Sequence, residues 1–151
     1  MLASLPPGAF LNLELKADTL RPSDCPRIFE ALARRPFPGP VLVSSFDPRL
    51  LPYFKARGTS VGLLVGEEAA RLGWAGMTKE IRRLRPDYLN LPILMFEILG
   101  KRRARLLALL FRALGFSLAF WTVNRREEVD RVRKLARIII TDEVLTVRRA
   151  L

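Results

Sequence analysis

A rhythm governs this chain: a short run of β-favouring residues, then a stretch with helical spacing, repeated six times. Leu11-Asn12-Leu13-Glu14-Leu15-Lys16 alternates apolar and polar residues as a strand does. Val41 to Phe46 and Val61 to Val65 are continuous apolar runs of the kind buried in parallel sheets. Asp87 to Pro92, Phe116 to Val123 and Arg137 to Asp142 supply the remaining strands.

The intervening stretches read as helices with recognisable ends. Asp24 can cap a helix that tolerates Pro26 in its first turn, with Ile28, Phe29, Ala31 and Leu32 as its apolar face and Pro36 to Pro40 as its stop. Asp47-Pro48 reads as N-cap and first residue of a helix running through Leu50, Leu51 and Phe54 to Gly58. Gly66-Glu67-Glu68 opens a helix to Leu72. Gly73 to Gly76 is irregular, and Met77 to Leu84 resumes the helix until Arg85-Pro86, where the residue before proline disfavours the helical region. A loop or short helix leads to Gly100. Arg102 to Leu114 follows, with Leu106, Leu107, Leu109, Leu110, Phe111 and Leu114 on a broad apolar face expected to be buried. Asn124 and Glu127 are placed as a capping box, and Val144 to Ala150 closes the chain.

Strand and helix in strict alternation specify an α/β fold with parallel pairing. An open sheet and a barrel both satisfy the pattern. At 151 residues, half of them hydrophobic, residues 1–151 make one domain with enough apolar surface for a core. The lone Cys25 excludes an internal disulfide, and the absence of histidine disfavours a zinc site of the usual kind. No signal-peptide pattern opens the chain, and Arg112 and Gly115 interrupt the most membrane-like window, Leu106 to Val123. A cytoplasmic protein without a transmembrane segment is the expectation.

The net charge of +11 asks for an explanation. Its densest runs are Lys101-Arg102-Arg103-Ala104-Arg105 and Arg82-Arg83-Leu84-Arg85, and neither is interleaved with the aromatics of a single-strand groove. No helix-turn-helix, zinc finger or RNA-binding signature is present, so no specific nucleic-acid partner is expected. Most of the charge reads as solvated helix faces, with an anionic lipid or nucleic-acid surface as the alternative.

The first strand frames the chemistry. Its leucine face suits helix packing, while Asn12, Glu14 and Lys16 occupy the face where such strands bury aliphatics, and charges there need a partner, a metal or an anionic ligand. In a (β/α) barrel chemistry is assembled at the carboxyl ends of the strands. Here those ends carry Glu14, Lys16, Ser45, Asn90, Trp121, Asn124, Thr141 and Asp142.

The pieces Asn12-Leu-Glu-Leu-Lys16, Val43-Ser-Ser-Phe46, Trp121-Thr-Val-Asn124 and Ile140-Thr-Asp142, in this order and spacing, resemble the glycerophosphodiester phosphodiesterases. The resemblance implies an incomplete TIM-type (β/α) barrel of six strand-helix units, and hydrolysis of glycerophosphodiesters to glycerol phosphate and an alcohol, a reaction of lipid metabolism. It implies a divalent cation, calcium or magnesium, with Glu14 as a ligand. Lys16 matches the lysine that meets the phosphate, and Trp121 the aromatic on the glycerol side of the pocket. Ser45, Asn90 and Asp142 are weaker substrate candidates, assigned first to hydrogen bonding in the barrel mouth. Asn124 is assigned first as a helix cap.

The resemblance covers the later part of the family. The family's opening His-Arg strand, its metal-binding Glu and Asp, and its second His have no counterpart here, so no catalytic residue is assigned. The chain reads as N-terminally truncated relative to the family, inactive alone, with the Leu11 to Lys16 and Arg137 to Asp142 strands as open edges. Those edges call for another copy or a separate N-terminal fragment. The alternative is a non-catalytic module that keeps a phosphate or metal pocket or binds an anionic surface.

Overall fold

The computed structural model describes residues 10–34 and 39–151 and divides into two compact units, Met1–Asp87 and Tyr88–Leu151.

In the first unit, β1 (Leu11–Leu15) leads through a 3-10 turn (Pro22–Asp24) into α1 (Cys25–Arg34). Then follow β2 (Val41–Ser45), α2 (Pro52–Lys55), β3 (Ser60–Leu64) and α3 (Glu67–Leu84). β1 and β2 are parallel, in register from Leu11 opposite Val41 to Leu15 opposite Ser45. β2 and β3 are likewise parallel, with Ser44 opposite Gly62. The apolar runs are buried as their composition requires: Leu15, Leu42, Val43, Val61 and Leu63 lie in the core with Leu50, Leu51 and Phe54. Phe29 of α1 meets Tyr53 edge-on at a centroid distance of 6.1 Å, and the Arg57 guanidinium caps the Tyr53 ring at 3.5 Å. Asp87 staples the end of this unit: its carboxylate accepts the Val61 amide at 2.8 Å, its own amide donates to Val61 O at 2.9 Å, and Lys55 pairs with it at 3.4 Å.

The second unit contains β4 (Tyr88–Pro92), α4 (Met95–Ile98), α5 (Lys101–Ala113), β5 (Ser117–Trp121), α6 (Arg126–Val132), β6 (Ile138–Ile139) and α7 (Val144–Ala150). β4 and β5 are parallel, with Asn90 opposite Ala119 and Pro92 opposite Trp121, and β5 and β6 are parallel, with Ala119 opposite Ile138. Leu89, Leu91, Leu118, Phe120, Val129 and Val132 form its core.

Local expectations fail where two signals compete. Asp47-Pro48 does not open α2. The Asp47 carboxylate instead accepts the Arg49 amide at 2.9 Å and closes a turn, and the helix begins at Pro52, a second proline fit for a first turn. Asp24 does not head α1 as a simple N-cap either; its carboxylate accepts the Arg21 amide at 2.8 Å and fixes the 3-10 turn before it. In α1, Ala31 is exposed rather than part of the apolar face. The Pro36 to Pro40 stop falls largely outside the described residues. Gly73 does interrupt α3, at φ 64, but the helix resumes directly instead of after Gly76.

The capping of α6 is shifted by one residue. Glu128, not Glu127, accepts the amides of Asn124 at 2.8 Å and Arg125 at 2.9 Å, and Arg125 is the N-cap. The largest departure is in α5, whose buried residues are Ala104 and Ala108, while Leu106, Leu109, Leu110 and Leu114 are exposed. Small alanines let the helix axis approach the strand beneath, and a helix seated that closely covers only a narrow sector of itself.

Candidate functional site

Glu14 and Lys16 stand two residues apart on the same side of β1, as strand alternation requires. Their side chains meet: Lys16 Nζ donates to Glu14 Oε1 at 2.7 Å. Lys16 is 66% and Glu14 33% exposed, so the ammonium reaches solvent while the carboxylate is partly shielded. The Glu14 hydrogen bond and its charge raise the Lys16 pKa above its ordinary value, which extends the range of the charged ammonium further into alkaline pH. On the same face, Ser44 donates to Asn12 Oδ1 at 3.0 Å, tying β2 to β1 just below the pair.

Ser45 is committed to the backbone. Its hydroxyl donates to Leu15 O at 2.8 Å and accepts the Asp47 amide at 3.0 Å, so it joins the carboxyl ends of β1 and β2. Beyond it, Asp47 and Arg49 form a bidentate pair, with Nε to both carboxylate oxygens at 3.0 Å and Nη2 to Oδ2 at 2.8 Å. The Arg49 guanidinium holds the Asp47 carboxyl below the usual carboxylate range against the opposing effect of burial. Directly after Lys16, the loop from Ala17 to Pro22 and Arg49 line a cavity of about 470 Å³ whose cations are Arg21 and Arg49. The sequence reads Ala17 to Arg21 as a loop but treats Asp47 as a helix cap and misses its pairing with Arg49; the Asp-Pro-Arg triplet directly after a strand was the available signal.

In the second unit Trp121 ends β5, half-buried. Its indole N–H donates to Asn90 O at 3.0 Å, and its carbonyl accepts the Ile93 amide at 2.6 Å, so the ring is pinned across the β4 and β5 ends. Asn90 is fully buried, and its side-chain Nδ2 and Oδ1 have no hydrogen-bond partner among the described residues. Asn124 is a clamp between loops, not a cap. Its Oδ1 accepts the Thr141 hydroxyl and the Asp142 amide, both at 3.0 Å, and holds the turn after β6 against the turn after β5. Asp142 is exposed at that turn.

The candidates therefore fall in two places: Glu14, Lys16 and Ser45 at the strand ends of the first unit, and Asn90, Trp121 and Asp142 at those of the second. A hard divalent cation takes six or more oxygen donors. Glu14 offers one carboxylate, already bonded to Lys16, and no cluster of three His, Cys, Asp or Glu side chains occurs among the described residues. This donor set does not by itself make a cation site.

No protein-family model matches the sequence, and no curated protein is significantly similar to it. Solved structures are. A glycerophosphodiester phosphodiesterase from Thermotoga maritima is 28% identical with a TM-score of 0.70, covering 91% of this chain and 56% of its own. A phosphodiesterase from Oleispira antarctica, solved with the product sn-glycerol-3-phosphate, is 21% identical with a TM-score of 0.70, covering 95% of this chain and 55% of its own. A glycerophosphodiester phosphodiesterase from Parabacteroides distasonis gives a TM-score of 0.61 at 16% identity, over 92% of this chain and 56% of its own. The chain thus spans little more than half the length of the structures it resembles. No helix among the described residues is long and apolar enough to cross a membrane. Six parallel strands with their intervening helices make an incomplete TIM-type barrel, and over nearly its whole length the chain resembles the glycerophosphodiester phosphodiesterases.

Proposed function

We propose that this chain is the phosphate-binding part of a glycerophosphodiester phosphodiesterase-like domain. The observation that carries the reading is the Glu14–Lys16 pair at 2.7 Å, at the carboxyl end of the first strand of a chain with this fold. Lys16 meets the phosphate oxygens of a glycerophosphodiester, where a compact ammonium stabilises negative charge developing on the phosphorus. Trp121, in the second unit, is the separate candidate for contact with a glycerol group.

The chain contains no histidine to act as acid or base and is inactive alone. Completion by a segment bearing histidines and further carboxylates yields hydrolysis to glycerol phosphate and an alcohol. The same segment supplies the donors that Glu14 lacks for a calcium or magnesium ion. Among the described residues β1 pairs only with β2 and β6 only with β5. Such edges suit pairing with the missing strands or with a second copy.

The absence of histidine also favours a second reading, a non-catalytic module that binds phosphate without cleaving it. Calorimetry with sn-glycerol-3-phosphate and an assay with glycerophosphocholine and magnesium or calcium test both. Weak binding that Lys16→Ala lowers about tenfold, with no turnover, is the expected result. Turnover by the purified chain would overturn the inactivity, and unchanged binding by Lys16→Ala would remove the phosphate role. Restoration of turnover by a histidine-bearing fragment separates the enzyme reading from the module.

A further inference from the structure

The exposed side of α5 is the largest feature the phosphodiester site does not use. Leu106, Leu110 and Leu114 recur every fourth residue along one row, with Leu109 beside them, and they are 66%, 54%, 62% and 42% exposed in that order. Lys101, Arg105 and Arg112 follow one flank of this row, and Arg102 and Arg103 sit at its start; α5 carries no carboxylate. Cations in a first helical turn face the positive end of the helix dipole, so their placement opposes helix stability instead of aiding it. A negatively charged counter-surface offsets that cost. The positive charge continues past the helix end, where a pocket of about 350 Å³ is lined by Arg112, Lys134 and Arg137 and by no acidic residue.

We propose that α5 docks this chain on anionic phospholipid bilayers, lying in the plane of the interface. The leucine row enters the acyl boundary, the flanking arginines extend to the headgroup phosphates, and the pocket at Arg137 receives a further headgroup. Nucleic acid would engage the cations but leave the leucines unexplained. Pairing of two copies through α5 would bring like charges together. α5 also connects β4 to β5, so strands added beside β6 would place their helices against α6 and α7 and leave the leucine row open.

Flotation of the chain with phosphatidylglycerol–phosphatidylcholine vesicles, against phosphatidylcholine alone, tests this. Binding is expected only with the anionic lipid, weakening as salt rises. Leu106→Gln with Leu110→Gln should lower affinity about tenfold or more, and so should Arg102→Gln with Arg105→Gln. These side chains are exposed, so circular dichroism should stay at wild-type values and the melting temperature should not fall, with a small rise for the arginine variant. Absence of binding, equal binding to neutral vesicles, or full binding by the leucine variant would overturn the proposal. A dimer that the leucine variant dissolves, with no vesicle binding, would assign the face to a second copy. Lys16→Ala should float like the wild type, so this result stands or falls apart from the phosphodiester reading.

Discussion

Lys16 Nζ lies 2.7 Å from Glu14 Oε1, and each side chain sets the other's availability. The raised pKa of Lys16 means that its contribution to stability is complete below the ordinary lysine value of 10.5 and is lost as pH rises through the higher folded value. Glu14→Gln should return the Lys16 ammonium to its ordinary titration, read by NMR of the side-chain nitrogen. The same variant frees the ammonium from its internal anion, so affinity for glycerol phosphate should hold or rise, whereas Lys16→Ala should lower it about tenfold. A fall in affinity with Glu14→Gln equal to that of Lys16→Ala would show that the pair acts as one structural group.

Asp47 carries the opposite pH dependence. Its folded pKa is held below the ordinary 3.8, first by the Arg49 hydrogen bonds, so the stability it supplies is present above that value and disappears as pH falls through the folded one. Acid unfolding of Asp47→Asn should therefore show a shallower loss below about pH 4 than the wild type. At neutral pH the variant should be less stable by about 1–2 kcal/mol, since the turn after β2 loses its charged acceptor. Parallel acid limbs in the two proteins would assign the acid sensitivity to other carboxylates.

The strands were legible because period-two alternation and continuous aliphatic runs leave little choice of structure: five of the six lie within their expected stretches, and β3 starts one residue early, at Ser60. Helix starts were less so, because several residues near one another offered competing capping chemistry. Glu127 and Glu128 are adjacent, and the backbone course after Val123, settled by tertiary contacts, makes Glu128 the acceptor. The leucines of α5 misled for a related reason: periodicity shows that a face is apolar, not that anything covers it. Lys16 next to Glu14 was visible from the alternation of β1. The Arg49 turn was not, because it depends on a side chain folding back on a residue two positions away.

Asn124 holds the turns after β5 and β6 together through Thr141 and Asp142. Asn124→Ala removes both acceptor contacts, and since water can take up the exposed Asp142 amide the loss should be about 1–2 kcal/mol. Thr141→Val removes one contact and should cost less. Amide exchange should accelerate at Asp142 and Glu143 in Asn124→Ala while β4 stays protected. Wild-type exchange at those amides would place the clamp elsewhere.

Asn90 yields the sharpest contrast between two roles. Its amide is fully buried with neither Nδ2 nor Oδ1 bonded to any described residue, and an unpaired buried amide costs about 1–3 kcal/mol. If the group is only a burden on the fold, Asn90→Leu, close in volume and free of polar atoms, should leave the melting temperature unchanged or raise it. If the amide is kept for a ligand arriving between the strand ends, as its position beside Trp121 suits, Asn90→Leu should stabilise the free chain and weaken glycerol phosphate binding together. The expected outcome is the second. Asn90→Asp serves as the control, because an uncompensated carboxylate at this depth should destabilise the fold more than any neutral replacement. A melting temperature lowered by Asn90→Leu would show that the amide is already satisfied in solution by buried water.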